Sequence, residues 1–383
     1  MSDAGATAAL ERCVGDASRF IAEHWGRTPL FRPRTGSGGF DDLLSMDDVD
    51  RMLSTQALRL PAFRLVKDGS PLPPSSYTRT ARTGSTTIDG VADPARVYRS
   101  FFDGATIVLQ GLQRFWPPLT RFCRELDDAL GHPTQVNAYV TPPGARGLGV
   151  HSDSHDVLVL QLFGSKRWAV GEPSSAWELR PGDTLYMPEG TPHSASAQET
   201  MSGHLTVGIL TTRWSRVLRA ALELLERDPR FGERLPVAYH RDPEGFGAAV
   251  KLRLGEIERL MADLDPAEVA EAVTRGFLTS RQSLLRGALH DLAALEGLRD
   301  ESVLRRRPGA VCHVAHRLDR LAVFLGDREL RMPPHLEPAM RFVEGREALR
   351  VRELPGLLNE GDRLVLARRL VREGLLEVAV ANA

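Results

Sequence analysis

Cysteine is scarce in this sequence of 383 residues, which contains Cys13, Cys123 and Cys312. The three are far apart and none belongs to a CxxC pair, so their spacing argues against a disulfide framework or a structural zinc site. The sequence also has no large excess of positive or negative charge. The formal net charge is -1, which offers no overall attraction to nucleic acid or to an anionic membrane.

Long apolar runs are also missing. No run reaches the length of a membrane span, and the first 16 residues show neither the basic start nor the apolar core of a signal peptide. We therefore expect a cytoplasmic protein that does not bind membranes. With 383 residues, of which 42% are hydrophobic, the chain is long enough for two or three domains, each with a buried core.

The first two thirds of the chain contain two kinds of pattern. Apolar residues at helical spacing predict helices over residues 7–25, 47–53, 96–101 and 119–130. Short β-rich segments separated by Gly and Pro then predict strands over residues 135–141, 148–153, 157–163, 167–172, 184–188 and 204–211. Many short strands with turn residues between them are typical of a barrel or a sandwich.

The last third is helical again from residue 215, and Asp265-Pro266 is typical of a helix start. The basic run Arg305–Arg307 marks a predicted boundary. Beyond it, short strands alternate with helices, and the order helix, glycine, strand at the end indicates a winged-helix-like unit. We predict domains at 1–214, 215–302 and 303–383. Acidic residues are interspersed among the basic ones in the last domain, so direct nucleic-acid binding is not expected.

The residues most relevant to chemistry lie in the β-rich region. His151 and Asp153 are two apart in a predicted strand, so their side chains share a face. A turn at residues 181–183 and the strand pair around it then deliver His193. Two imidazoles and one carboxylate form the facial triad of non-haem iron oxygenases, with positions left open for a bidentate 2-oxo acid and for O2. HxD pairs also occur by chance, and His155, which shares the strand face, is an alternative ligand.

A cation is the second expected component. Lys166 follows the Gly164-Ser165 turn at the start of a predicted strand. A lysine there can hold the distal carboxylate of 2-oxoglutarate by charge-assisted hydrogen bonds. The alternative is an ordinary solvated turn lysine. Asp156 is expected to face outward or to orient a neighbouring group.

Five motifs resemble the JmjC-type ribosomal oxygenases, a cupin-like family. They are Asn137–Pro143, Gly149–Asp153, Asp156–Trp168, Pro181–His193 and Gly203–Gly208. The resemblance implies an α+β fold with a double-stranded β-helix (cupin or jelly-roll, JmjC) core, a helical dimerisation domain and a C-terminal winged-helix-like domain. It also implies a homodimer, with Fe(II) as cofactor and 2-oxoglutarate and O2 as co-substrates.

The resemblance implies three iron ligands, His151, Asp153 and His193. It makes Lys166 the residue that binds the distal carboxylate of 2-oxoglutarate, places Asn137 near the co-substrate, and places Tyr139 in the lining of the same pocket. Family members often carry a serine where this chain has Gly208, and Thr206 is the candidate to supply the hydroxyl instead. No catalytic residue is expected beyond the metal centre.

The implied reaction is a coupled oxidation, in which 2-oxoglutarate is decarboxylated to succinate while a side chain is hydroxylated. The implied substrate is a His or Arg residue of a ribosomal protein. Two alternatives stay open. One is hydroxylation of a peptide natural product or a free amino acid, which biosynthetic genes nearby would favour. The other is a non-catalytic cupin protein that binds a partner, against which the intact triad argues.

Overall fold

A computed structural model describes residues 7–34, 39–145, 149–172, 175–316, 320–356 and 359–379. The chain forms two compact units, Met1–Thr211 and Thr212–Ala383. The thiols of the three cysteines are free. Among the described helices, none combines the length and the apolar character needed to cross a membrane.

Five helices are described in the first unit. They are α1 (Ala8–Val14), α2 (Ala17–Glu23), α3 (Met46–Thr55), α4 (Pro94–Phe102) and α5 (Pro117–Leu130), with 3-10 turns at Pro74–Ser76 and Leu112–Arg114. The prediction of a single helix over residues 7–25 is wrong. Gly15 adopts a φ of +83°, which ends α1, and the Asp16 side chain accepts a hydrogen bond from the backbone N–H of Arg19 at 2.9 Å, which begins α2.

Thirteen strands of the first unit are described. They are β1 (Leu30–Arg32), β2 (Phe63–Lys67), β3 (Ser70–Pro71), β4 (Thr78–Thr83), β5 (Thr86–Ala92), β6 (Thr106–Leu109), β7 (Thr134–Thr141), β8 (Asp156–Phe163), β9 (Lys166–Val170), β10 (Ser175–Leu179), β11 (Thr184–Met187), β12 (His193–Ala197) and β13 (Ser202–Ile209). An antiparallel sheet has the order β1-β11-β8-β13-β7-β6-β2-β3, a second has the order β10-β9-β12, and β4 pairs with β5.

The two larger sheets face each other. Val157 and Val159 of β8 share an apolar cluster with Trp168 and Val170 of β9. The other side of the large sheet packs on α1, α3 and α5 through a second apolar cluster, which includes Leu158 and Leu160. The strand β8 is therefore apolar on both faces, which explains its unbroken hydrophobic run.

One predicted strand is wrong. Residues 148–153 were expected to be extended, but Leu148 lies outside the described residues and 149–153 form no regular strand. Only an isolated β-bridge joins His151 to His193. The strand β10, in turn, was not predicted. Its sequence, Ser-Ala-Trp-Glu-Leu, has a weak apolar alternation and an exposed or half-buried pattern over four of its five residues.

The second unit begins with helices. They are α6 (Trp214–Leu225), α7 (Pro243–Asp263), α8 (Pro266–Leu278) and α9 (Ala288–Ala294), with 3-10 turns at Pro229–Gly232, Tyr239–Arg241 and Leu295–Gly297. The predicted start of α8 is confirmed, since the Asp265 side chain accepts a hydrogen bond from the backbone N–H of Ala267 at 2.9 Å. Ala220, Ala221 and Leu224 of α6 pack against Val269 of α8.

Strands and helices then alternate to the end of the second unit. They are β14 (Val303–Arg306), β15 (His313–His316), β16 (Leu321–Phe324), β17 (Glu329–Met332), α10 (Glu337–Glu344), β18 (Ala348–Arg350), α11 (Glu360–Arg372) and β19 (Leu376–Val378), with 3-10 turns at Pro334–Leu336 and Val351–Glu353. The sheets have the orders β18-β14-β19 and β15-β16-β17. These elements share one apolar core, which includes Leu304, Val323, Met340 and Leu370. The three-domain division stays a prediction.

Arg307 lies in this second unit and has a relative exposure of 2%. Its Nη2 is 2.5 Å from Oδ2 of Asp291, its Nη1 donates to the carbonyl of Arg286, and its Nε donates to the carbonyl of Gly374. The other carboxylate oxygen of Asp291 accepts a hydrogen bond from the N–H of Val378 at 2.8 Å. Arg307 is therefore a fully bonded structural residue rather than part of an exposed basic patch.

Candidate metal and co-substrate site

Two histidines and an aspartate converge between the two sheets of the first unit. One potential ligand atom from each of His151, Asp153 and His193 lies within 4.8 Å of the other two. Nε2 of His193 is 3.6 Å from Oδ2 of Asp153, and the two imidazole centroids are 4.3 Å apart. Two nitrogens and one carboxylate oxygen at this spacing suit a metal ion of the iron or zinc type.

The backbone holds the three residues together. His151 and His193 exchange both of their N–H···O=C hydrogen bonds, at 3.0 and 2.8 Å, although they are far apart in the sequence. The carbonyl of Asp153 accepts a third bond from the N–H of Gly190 at 2.9 Å. The irregular segment before β8 is thus fixed by the turn before β12, and the ligand side chains face the same point.

Each imidazole is also oriented by a carbonyl. Nδ1 of His151 lies 2.8 Å from the carbonyl oxygen of Gly149, and Nδ1 of His193 lies 3.0 Å from that of Thr191. A carbonyl can only accept, so each Nδ1 carries the proton and each Nε2 keeps its lone pair for a metal. Burial lowers the pKa of His193, which favours the neutral form that metal binding needs.

His155 and Asp156 follow the triad directly. His155 does not join the group of potential ligands found among the described residues, although it lines the same cavity. Asp156 is buried, so the expectation that it faces outward is wrong. It orients its neighbours instead, because its carboxylate accepts hydrogen bonds from the Tyr186 hydroxyl at 2.6 Å and from the N–H of Glu189 at 2.8 Å.

A cavity of about 210 Å³ adjoins the triad. Its described lining includes every residue that the sequence predicted for the site, namely His151, Asp153, His193, Lys166, Asn137, Tyr139 and Thr206. Gly208 lines the cavity as well. These residues come from both sheets. Lys166 lies on β9 and His193 on β12 of the smaller sheet, whereas Asn137 and Tyr139 lie on β7 and Thr206 and Gly208 on β13 of the larger sheet. The cavity therefore lies between the sheets.

Lys166 has a relative exposure of 3%, so the alternative of a solvated turn lysine is wrong. Its Nζ contacts the Thr141 hydroxyl at 3.1 Å, and none of the described carboxylates lies within salt-bridge distance of it. Burial lowers the pKa of Lys166 to about 7. The chain has three lysines, Lys67, Lys166 and Lys251, among 49 basic residues. A buried lysine is therefore unusual here, and its charged form requires an anion.

Neutral hydrogen-bonding groups line the same cavity as Lys166 and the triad. Oδ1 of Asn137 accepts a hydrogen bond from the N–H of Gly111 at 3.0 Å, and the Asn137 side chain also hydrogen-bonds to the Tyr139 hydroxyl. Tyr139 stacks on His204, with ring centroids 5.1 Å apart and an interplanar angle of 6°. Burial raises the pKa of Tyr139, so its hydroxyl remains a hydrogen-bond donor at neutral pH. Thr206 lies opposite Asn137 in the β7–β13 register.

The sequence analysis does not predict several of the lining residues, among them Arg64, Gln135, Trp168 and His204. Arg64 projects into the cavity from β2, where it alternates with the buried Phe63 and Leu65; that alternation could have identified it. His204 shares a strand face with Thr206, and Trp168 lies between His204 and His193, at centroid distances of 5.4 and 6.0 Å. Burial, with a contribution from Lys166, lowers the pKa of His204 well below its ordinary value, so it is neutral.

The amino-acid sequence of this chain is similar to that of known proteins. The JmjC domain family matches residues 109–177 and 170–217. Ribosomal oxygenase 1 of Gallus gallus is 29% identical over 248 residues, which is 57% of this chain and 40% of the relative. Over the residues that the family model matches, the chain is similar to JmjC domains. A second relative, the bifunctional lysine-specific demethylase and histidyl-hydroxylase NO66 of Branchiostoma floridae, is 30% identical over 229 residues, 58% of this chain and 36% of the relative.

The chain spans less than half the length of those curated relatives. Among solved structures, the ribosomal oxygenase YcfD of Escherichia coli matches with a TM-score of 0.58 and 20% identity, covering 96% of this chain and 99% of YcfD. A complex of YcfD with cobalt and 2-oxoglutarate also matches, at 19% identity and a TM-score of 0.58. The JmjC, cupin-like fold of the core agrees with the α+β prediction.

Proposed function

We propose that this chain is an Fe(II)- and 2-oxoglutarate-dependent oxygenase that hydroxylates a His or Arg side chain of a ribosomal protein. One observation carries the proposal. A buried lysine without a described carboxylate partner lines the same 210 Å³ cavity as two histidines and an aspartate whose ligand atoms converge. A metal-binding triad with a cation farther along the cavity suits a ligand that has a metal-chelating end and a distal carboxylate.

Each group has a role in the proposal. His151, Asp153 and His193 hold Fe(II), and Lys166 pairs with the distal carboxylate. The Asn137 amide is oriented by Gly111 and donates to the co-substrate. The neighbouring Tyr139 and Thr206 hydroxyls line the cavity and add hydrogen bonds. When bound together, Fe(II), 2-oxoglutarate and O2 supply an oxidation that converts 2-oxoglutarate to succinate and CO2 and inserts one oxygen atom into a C–H bond.

The names of the chain's relatives support the proposal that the substrate is a ribosomal protein. The JmjC domain model matches residues 109–177 and 170–217, which hold most of the cavity lining, and relatives of the chain are named ribosomal oxygenase and histidyl-hydroxylase. A complex of YcfD contains cobalt and 2-oxoglutarate, and the present donor set of two imidazoles and a carboxylate suits the same type of ligation.

We also propose a homodimer formed through the helical region. Trp214, Leu218 and Leu222 recur every four residues on α6 and are 85%, 52% and 38% exposed. Residues four apart lie on one face of a helix, so they form an apolar stripe. Sedimentation at several concentrations tests this, and Leu218→Glu should shift the chain toward the monomer. A monomer at all concentrations would refute the dimer. The remaining strands and helices after residue 303 are proposed to form the winged-helix-like unit.

Turnover of 2-oxoglutarate tests the oxygenase. The purified chain with Fe(II) and O2 should form succinate, and Asp153→Ala should reduce the rate at least a hundredfold because the carboxylate ligand is lost. Ribosomal proteins incubated with the enzyme should gain one oxygen on a His or Arg residue, detected by mass spectrometry. Full turnover by Asp153→Ala would refute the ligand set, whereas turnover without ribosomal hydroxylation would refute the substrate.

A further inference from the structure

The cavity has three layers, because β7 and β13 pair antiparallel and side chains two apart share a face. Tyr139 lies opposite His204, Asn137 opposite Thr206, and Gln135 opposite Gly208, and all six residues line the cavity. From the His204 layer to the Gly208 layer the strand advances about 13 Å. Lys166 contacts Thr141, beyond the Tyr139 layer, so the cation and Gly208 lie at opposite ends.

His155 occupies the end opposite Lys166. A Cβ added at Gly208 would lie 2.5 Å from Nε2 of His155 and 2.7 Å from its Cδ2, closer than non-bonded atoms approach. Glycine inside a strand is unfavourable unless another group must come close to the backbone. The lack of a side chain at Gly208 therefore makes the space that the His155 ring fills, and Gln135 borders the same space, with its Cγ 3.3 Å from the same point.

This last layer lies out of reach of a ligand anchored at Lys166. A five-carbon diacid has at most about 6 Å between its carboxyl carbons. One that pairs with Lys166 at one end therefore stops short of the layer about 13 Å along the strand. The triad lies alongside, since His193 contacts Trp168 and Asp153 precedes His155 by two residues. The C–H bond of the substrate must therefore lie beside the triad, on the side away from Lys166.

The charges of the lining restrict what can enter. Arg64 and Lys166 are cationic, and among the described lining residues the one carboxylate is that of Asp153, a proposed metal ligand. Gln135 and His155 bring hydrogen-bonding groups but no negative charge. A guanidinium placed there would lose its hydration without gaining a counter-charge, which is costly. An uncharged imidazole or carboxamide needs only the hydrogen bonds that Gln135 and His155 offer.

We infer that Gln135, Gly208 and His155 form the subsite for the side chain that is oxidised, and that this subsite accepts an uncharged hydrogen-bonding side chain in preference to a cationic one. The inference rests on the proposed oxygenase function and narrows its substrate from His or Arg toward the uncharged member. His155 is then a specificity-determining residue rather than a metal ligand, and Gly208 is needed for its placement.

Three peptides test the subsite: acetyl-Gly-X-Gly-amide with X as His, Gln or Arg. Binding to the chain loaded with Zn(II) and 2-oxoglutarate is measured by saturation-transfer NMR at pH 8, where an ordinary imidazole with a pKa of about 6.5 is uncharged. The His and Gln peptides should bind at least fivefold more tightly than the Arg peptide. His155→Phe keeps a ring over Gly208 but removes its hydrogen bonds, so the His peptide should lose at least fivefold in affinity while the Arg peptide does not.

Gly208→Ala is the second variant, since its new methyl group displaces the His155 ring. It should also weaken the His peptide at least fivefold. Equal binding of the three peptides, tighter binding of the Arg peptide, or unchanged His-peptide affinity in both variants would overturn the inference. Binding of 2-oxoglutarate to the Zn(II)-loaded chain is recorded separately by calorimetry. If 2-oxoglutarate does not bind at all, the oxygenase proposal fails and the subsite inference fails with it.

Discussion

Each of the two units contains a basic side chain that is almost fully buried, Lys166 in the first and Arg307 in the second, and these two differ in what surrounds them. Arg307 of the second unit is bonded to the Asp291 carboxylate and to two backbone carbonyls. Lys166 of the first unit has a threonine hydroxyl as its hydrogen-bond partner and faces a cavity. A buried charge is tolerated when it is paired and hydrogen-bonded, and otherwise it favours the neutral form. The difference separates a structural cation from one that, under the proposed function, pairs with a ligand.

Replacing Lys166 should produce the largest effect on 2-oxoglutarate affinity. Lys166→Met removes the cation, and losing one partner of a buried charged pair costs about 2–5 kcal/mol, or about 30-fold to several thousand-fold in affinity. Calorimetry with Mn(II) and 2-oxoglutarate should show that loss. The ligand-free variant should nevertheless unfold at higher urea concentration, by ~1–4 kcal/mol, because an unpaired buried charge is gone.

Lys67→Met is the matched control, since Lys67 lies exposed at the end of β2 and does not line the cavity. Its 2-oxoglutarate affinity should match that of the unmodified chain. If Lys166→Met bound 2-oxoglutarate normally, the buried lysine would not be the carboxylate anchor.

Removing the partner of Arg307 should instead unfold the second unit. Asp291→Ala leaves the guanidinium buried without its counter-charge and should cost about 3–5 kcal/mol of unfolding free energy. Urea unfolding measures this, and 2-oxoglutarate affinity of the folded fraction should not change. Glu223→Ala breaks the exposed Arg216–Glu223 pair and should cost no more than about 1 kcal/mol. Equal losses in the two variants would contradict the structural role of Asp291.

The pH dependence of stability should also distinguish the two cations. The pKa of Lys166 is near 10.5 in the unfolded chain and about 7 in the folded one. Between these values the unfolded chain binds more protons, so the unfolding free energy rises with pH from about 7 to about 10.5, and the destabilisation is complete below 7. Urea unfolding at pH 7 and 9.5 should show this rise, and Lys166→Met should remove most of it. An equal rise in the variant would assign the effect to other groups.

The smallest effect should come from the hydroxyl beside Lys166. Thr141→Val removes the hydrogen bond to Nζ and should weaken 2-oxoglutarate binding by about 0.5–1.5 kcal/mol, or about 2- to 12-fold. Thr120→Val, which removes a hydroxyl bonded to the Trp116 carbonyl within α5, controls for the general loss of a buried hydrogen bond. If both variants weakened 2-oxoglutarate binding equally, Thr141 would have no specific part in holding the cation.

The convergence of the three potential ligands could be predicted from the sequence, although part of their backbone could not. His151, Asp153 and His193 were identified by residue type and by their motifs, yet the expected strand over residues 148–153 is wrong. The segment is held by hydrogen bonds to residues about 40 positions later, and such pairings leave no local periodicity in the sequence. Strand β8 was predicted almost to its ends, because an apolar run between turn residues is a local signal.

The burial of single residues was the least predictable property. Lys166 was a candidate by its place after a turn, but its burial depends on how β9 pairs with its neighbours. Arg307 looked like part of a basic run, and its partner Asp291 lies 16 residues away in a helix. Gly208 stands where the family pattern often has a serine. The ring that fills the space beside it is that of His155, which directly precedes β8. Each of these depends on three-dimensional neighbours.

The backbone bridge between His151 and His193 has a consequence for how the protein is made. The two ligands come from opposite ends of a stretch that must be synthesised in full before they can pair. A metal ion that binds only the completed arrangement stabilises it by an amount that grows with the logarithm of the metal concentration above the dissociation constant. The fraction of newly made chains that reach a stable fold would then depend on the iron supply. Cells starved of iron should accumulate less of the protein even when the amount of its messenger RNA is constant.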